Sequence, residues 1–147
     1  MFQINSQRRS AIDGPAIHVT ERDLDRLRRL IVTHEIGRDA AAAQQLETEI
    51  DRAVVVPSDE VPTDVVTMNS RIVFEDETGR RREVELVYPW EAEPRRGRIS
   101  ILAPVGVALV GISVGQAIEW PMPNGRTALL RIVSVLYQPE AAGDLHL

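Results

Sequence analysis

The apolar pattern of this chain changes its period at about residue 53, and few folds accommodate such a change. Upstream, Leu24, Leu27, Ile31 and His34 recur at three-to-four spacing, and Ala43, Leu46, Ile50 and Ala53 do so again, which is the signature of two amphipathic helices. Downstream, Ile72 and Phe74, then Val84, Leu86 and Tyr88, alternate with polar residues as half-buried strands do. Helices collected ahead of strands predict an α+β architecture rather than an alternating parallel one.

Each helix carries its own start and stop signals. Thr20 offers an N-cap with Asp23 three residues on, in a position resembling a capping box and favoured by the helix dipole. Gly37 ends the first helix, and Asp39 is expected to cap the second. A glycine-containing turn of about four residues makes the pair antiparallel. Each helix has room for about 15 residues, or about 22 Å at 1.5 Å per residue. The apolar seam is narrow, so a short two-helix coiled coil over residues 15–53 is expected. Residues 1–14 are polar, without period, and end in Asp13-Gly14, the pattern of a flexible leader. Pro15–Val19 reads as an extended entry.

Residues 54–147 read as a second unit. Arg71–Glu75 and Arg82–Tyr88 form a hairpin whose turn, Asp76 to Gly79, ends in a glycine suited to positive φ. A second hairpin pairs Ala117–Trp120 with Ala128–Tyr137 across Asn124-Gly125. The last strand is apolar on both faces and is expected to be central. Between the hairpins, Pro104–Val110 reads as a short helix with proline at its first position and Gly111 past its end.

Composition removes several function classes. The chain has 147 residues, enough for one modest core or one domain with an appendage. Its 22 acids outnumber 17 bases, all arginine, and a net charge of −5 argues against a nucleic-acid platform. There is no cysteine, which excludes disulfides, thiolate catalysis and sulfur-ligated zinc. The longest apolar run, 105–114, is broken by glycines and a serine, and the N-terminus has no apolar signal core; the cytoplasm is the expected address. No cofactor motif is present, and a monomer is expected.

The chemistry-bearing candidates are sparse. Gly111 to Gly115 spells G-x-S-x-G, but it follows a helix and precedes a strand, the reverse of a nucleophile elbow. His18, His34 and His146 share no metal-ligand spacing. Glu35 and Asp39 bracket the turn between the helices, where two carboxylates could share a magnesium ion. Arg38 stands between them, and the simpler expectation is one helix cap and one solvated carboxylate. No catalytic residue is expected, and no metal or other cofactor.

Three segments carry a family resemblance: Val61–Ser70 (VPTDVVTMNS), Ile99–Gly111 (ISILAPVGVALVG) and Tyr137–Asp144 (YQPEAAGD). They resemble the bacterial Rnk proteins, named as regulators of nucleoside diphosphate kinase, and more distantly the transcript-cleavage factors GreA and GreB. The resemblance covers about residues 15–147. It implies an FKBP-like domain, an antiparallel sheet with one short helix, over residues 54–147. In the Gre family this domain docks at the rim of the secondary channel of RNA polymerase, and a long coiled coil delivers acidic tip residues to the catalytic magnesium.

The Gre docking segment reads I-S-I-D-S-P followed by a short helix. Ile99, Ser100, Ile101 and Pro104 match it, while Leu102 and Ala103 replace its Asp and Ser with apolar groups. The resemblance therefore implies a polymerase-docking surface at Leu102, Ala103, Pro104, Ala108 and Leu109. A hairpin of about 22 Å falls short of the Gre arm, so a regulator that competes with Gre-type factors without stimulating cleavage is expected. Two other readings stay open: an enzyme, either an FKBP-like peptidyl-prolyl isomerase or a cleavage factor using Glu35 and Asp39, and a generic protein-interaction module.

Overall fold

The structure is a computed structural model that describes residues 17–122 and 124–147, together with the backbone of residues 8 and 9. The expected leader, residues 1–14, lies outside the described residues apart from Arg8–Arg9 (β1), whose backbone pairs in parallel with the strand beginning at Ala117.

The helical hairpin forms as its pattern requires. Thr20 Oγ1 accepts from the Asp23 amide at 3.0 Å and opens α1, Glu21–Thr33. His34 closes that helix through its own N–H to the Ile31 carbonyl, and Gly37 turns the chain at φ 109°. The second helix, α2, runs Ala40–Asp51. Arg28 pairs with Asp51 at 2.9 Å, which ties the middle of α1 to the far end of α2 and makes the two antiparallel. At 13 and 12 residues the helices span about 20 and 18 Å, slightly less than expected. Their seam is Leu27, Leu30 and Ile31 against Ala43, Leu46 and Ile50, all buried. Glu49 is buried beside it, paired with Arg52 at 3.3 Å.

Two short strands brace the base of the hairpin. His18–Thr20 (β2) and Val54–Val56 (β3) lie parallel, with His18 opposite Val54. The period-based reading held no hint of this clasp, because three residues are too few to show alternation. From it, main-chain bonds continue inward. Val54 N–H donates to the Ile17 carbonyl at 2.7 Å, His18 N–H to Gly111 at 3.1 Å, and Gly111 N–H to Val66 at 2.8 Å. The side chains of both units merge into one apolar core.

The β half is a six-stranded sheet in the order β1-β7-β8-β4-β5-β6. Strands β4 (Arg71–Asp76), β5 (Arg81–Val87), β7 (Ala117–Pro121) and β8 (Thr127–Tyr137) pair antiparallel, as the two hairpins predict. The edges are parallel additions: β6 (Arg98–Ser100) joins β5, and β1 joins β7. Strand β8 is interior, as expected, yet only Leu130 and Ile132 of it are buried, because the outer face of the sheet has no covering layer over this strand. The inner face packs Ile72, Leu86, Ile118 and Trp120 against α3, Pro104–Leu109. A β-carbon on Gly106 would come 2.1 Å from the Ser100 carbonyl oxygen, so α3 sits this close to β6 only because residue 106 is glycine.

Among the described residues no helix is long and apolar enough to cross a membrane.

Candidate functional site

The segment expected to dock a partner is built from β6 and the turn behind it. Ile101 N–H donates to the Val87 carbonyl at 2.8 Å, and the Ser100 hydroxyl accepts from the Leu102 amide at 3.0 Å. This turn delivers Pro104 to the first turn of α3. Of the five residues expected at the surface, three are core instead: Leu102 is 5% exposed, and Ala108 and Leu109 are fully buried. The reason is that α3 is covered on more than one side. Residues 106–109 make a full turn enclosed between α2 and the sheet, and only the first residues stay accessible. Ala103 and Pro104 do reach the surface, together with Val105. The three form a small apolar patch held from behind by Leu102, Ala108 and Leu109.

The tip of the hairpin lies at the other extreme of α1. Glu35 is exposed and Asp39 half-buried. Asp39 occupies the cap position of α2, but its carboxylate makes no capping bond; its backbone carbonyl accepts from Ala43 while the side chain faces Arg38 at 3.5 Å. Its dihedrals, φ −98° and ψ 13°, are not the extended ones that bring a cap side chain over the first amides. Among the described residues there is no group of three or more histidines or carboxylates able to hold a metal. Between these acids the tip presents Ile36, 92% exposed, and the charged Arg38.

Between tip and patch lies the junction, whose chemistry has little local signature. The stretch Val61–Ser70 is irregular yet buried at Val65, Val66, Met68 and Ser70. Its polar groups are satisfied internally: Thr67 N–H donates to Ser70 Oγ at 3.0 Å, and Asn69, at φ 67°, donates to the Leu86 carbonyl at 2.7 Å. The closing segment staples it. Gln138 Nε2 donates to the carbonyls of Pro62 and Val65 at 2.8 and 2.9 Å, and Thr67 Oγ1 donates to Glu140 at 2.7 Å. Pro139–Ala142 forms α4, and the Tyr137 hydroxyl donates to Asp144, which pushes that tyrosine up to about 12.

Asp23 locks α1 onto this stretch. Its Oδ2 accepts from the Met68 amide at 3.1 Å, and the residue is 4% exposed. Burial pushes its carboxyl up to about 6; the Met68 bond works the other way, Glu140 adds to the rise, and Arg26 and Arg22 oppose it. Position 23 was legible as part of a helix start. That its carboxylate turns inward to the β half follows only from the tertiary contact.

A helical hairpin set on an antiparallel-rich sheet, with one short helix behind a parallel edge strand, is the architecture of Gre-type factors. A solved transcription elongation factor GreA/GreB from Nitrosomonas europaea matches 84% of this chain and 99% of its own, with a TM-score of 0.67 and 41% identity. The family model for the C-terminal part of transcription elongation factor GreA/GreB matches residues 61–137, and the Rnk N-terminus model matches residues 15–56. The regulator of nucleoside diphosphate kinase of Escherichia coli K12 is 38% identical over 131 residues, which is 88% of this chain and 96% of that protein. Transcription elongation factor GreA of Clostridium beijerinckii is 40% identical over 82 residues, about half of each protein.

The chain belongs to the Rnk and GreA/GreB family. Its relatives are regulators and transcription factors rather than enzymes, and the homology makes it a transcription elongation factor-like regulator.

Proposed function

We propose that this chain binds RNA polymerase at the rim of the secondary channel, through the patch Ala103–Val105, and competes there with Gre-type factors without stimulating transcript cleavage. The observation that carries the reading is the length of the arm. Helices of 13 and 12 residues reach about 20 Å, short of the Gre coiled coil. Stimulated cleavage needs carboxylates within bonding distance of the catalytic metal, and rate falls steeply with misplacement. Here Asp39 already faces Arg38, and the tip leads with Ile36 rather than with a pair of free acids.

The patch suits a protein contact. It is apolar and backed by rigid core, the character of the centre of an interface. The replacement of the family's Asp and Ser by Leu102 and Ala103 shifts it further that way, with the leucine turned inward to support the alanine.

The test is competition with a Gre factor on purified core polymerase. Displacement of the Gre factor with no added transcript cleavage is expected. Pro104→Asp should weaken retention at least about tenfold by placing a charge in the contact. Aspartate is well tolerated in a first helical turn, so the fold should survive. Equal retention of wild type and variant, or cleavage stimulated by this chain, would overturn the proposal.

A further inference from the structure

A cleft of about 510 Å³ opens between α1, the Pro89–Glu91 turn and the end of the chain. Its volume falls in the range of small-molecule sites. Its lining is unlike the rest of the surface. Tyr88 and Trp90 stack face to face, with ring centres 5.1 Å apart and planes within 5°. Tyr88 is buried at 5% exposure while Trp90 is 74% exposed, so a supported aromatic shelf is left open to solvent. Large exposed aromatics are unusual away from contact sites, and stacking on a buried neighbour holds this one in a single orientation.

Charge adds a second requirement. This lining carries Arg26 and Arg29 beside two carboxylates, those of Glu91 and of the terminal Leu147. Residues 26 and 29 are three apart on one helix and share a face, spaced to meet two oxygens of one anion. Arg26 already holds one such anion, donating to the Leu147 carboxylate, and Arg29 makes an exposed pair with Asp25 at 3.0 Å. Both partners sit at the solvent side, where such bonds exchange readily with a stronger acceptor. Tyr88 is the buried member of the stack, and the Arg26 guanidinium stands beside its hydroxyl.

We infer that this cleft binds a small anion carrying a flat aromatic ring, the chemistry shared by nucleotides and aromatic carboxylates. The Trp90 face takes the ring, and Arg26 and Arg29 take the anionic group. The inference stands apart from polymerase docking, which uses the α3 patch.

Fluorescence titration reads it directly, since Trp90 is exposed and the other tryptophan, Trp120, is buried in the core. Four probes separate the sources: adenosine 5′-diphosphate, adenosine, inorganic phosphate and salicylate. Quenching by the nucleotide or by salicylate, with at least about tenfold weaker binding of adenosine and of phosphate, is expected, because each of these lacks one of the two required groups. Whichever aromatic anion binds more tightly names the source. Trp90→Ala followed by calorimetry should weaken that binding about tenfold, and Arg29→Gln, at an exposed position that leaves the fold intact, should do the same. No saturable binding of either aromatic anion at millimolar concentration, or affinity unchanged in both variants, would overturn it.

Discussion

Replacing Asp23 with asparagine tests whether the hairpin is held to the sheet by a buried carboxyl. In the folded chain burial pushes this carboxyl up to about 6, from an ordinary aspartate value of 3.8. A group whose pKa is raised on folding contributes stability that is complete below its unfolded pKa and is lost as pH rises through its folded pKa. The full difference of about two units corresponds to about 3 kcal/mol, most of it lost between about pH 4 and pH 7. From about pH 5 to pH 7.5 the wild type should lose about 1–2 kcal/mol of unfolding free energy through this residue alone.

Asparagine keeps the oxygen that accepts from Met68 and removes the ionisation. Urea unfolding of both proteins at the two pH values isolates the effect, because every other titrating group is common to both. Asp23→Asn should gain on the wild type by about 1–2 kcal/mol between the lower pH and the higher. A difference between the two proteins that does not change with pH would refute the assignment. The carboxyl would then be solvated, and α1 would not be locked at Met68.

Gly111→Ala should cost about 1–3 kcal/mol in urea unfolding, since its β-carbon would lie 2.6 Å from Ile17 Cβ and the backbone there is left-handed at φ 80°. Gln138→Ala removes the donor that joins Pro62 and Val65, leaving two carbonyls short of a partner. A loss of about 1–3 kcal/mol, with early hydrogen exchange across residues 61–70, is the expected readout. Leu109→Ala should cost about 2–5 kcal/mol by opening a cavity under α3. It should weaken polymerase retention only in proportion to unfolding, whereas Pro104→Asp acts on retention with stability unchanged.

What the sequence disclosed was whatever repeats along the chain or is spelled by turn chemistry. Both helices, both hairpins and the proline-led α3 were legible because Leu24, Leu27 and Ile31, Ile72 and Phe74, Gly79 and Asn124-Gly125 each announce themselves locally. The parallel pairings were not, since β2 with β3 and β5 with β6 involve three residues each and depend on partners far along the chain. The burial of Val61–Ser70 escaped for a related reason. Its satisfaction comes from Leu86, Gln138 and Glu140, and no local rule brings them together.

The turn and helix at residues 102–109 were legible as a segment, but the exposure of each side chain was not. Six residues of helix give too little pattern to tell which of Leu102, Pro104, Ala108 and Leu109 face out. Asp23 was read as a capping residue, and its second role needed the position of Met68. Trp90 carries no local signal, since stacking on Tyr88 is a property of the turn at Pro89–Glu91.

The ladder from Val54 through Ile17, His18 and Gly111 to Val66 is written in peptide groups, which every residue type supplies. The bearing of the arm is therefore insulated from substitutions on its outer faces, and only Gly111 is chemically irreplaceable along that seam. Helical turns could be added to or trimmed from the distal end of α1 and α2 while the lever kept its heading, so reach is the quantity that mutation can vary independently.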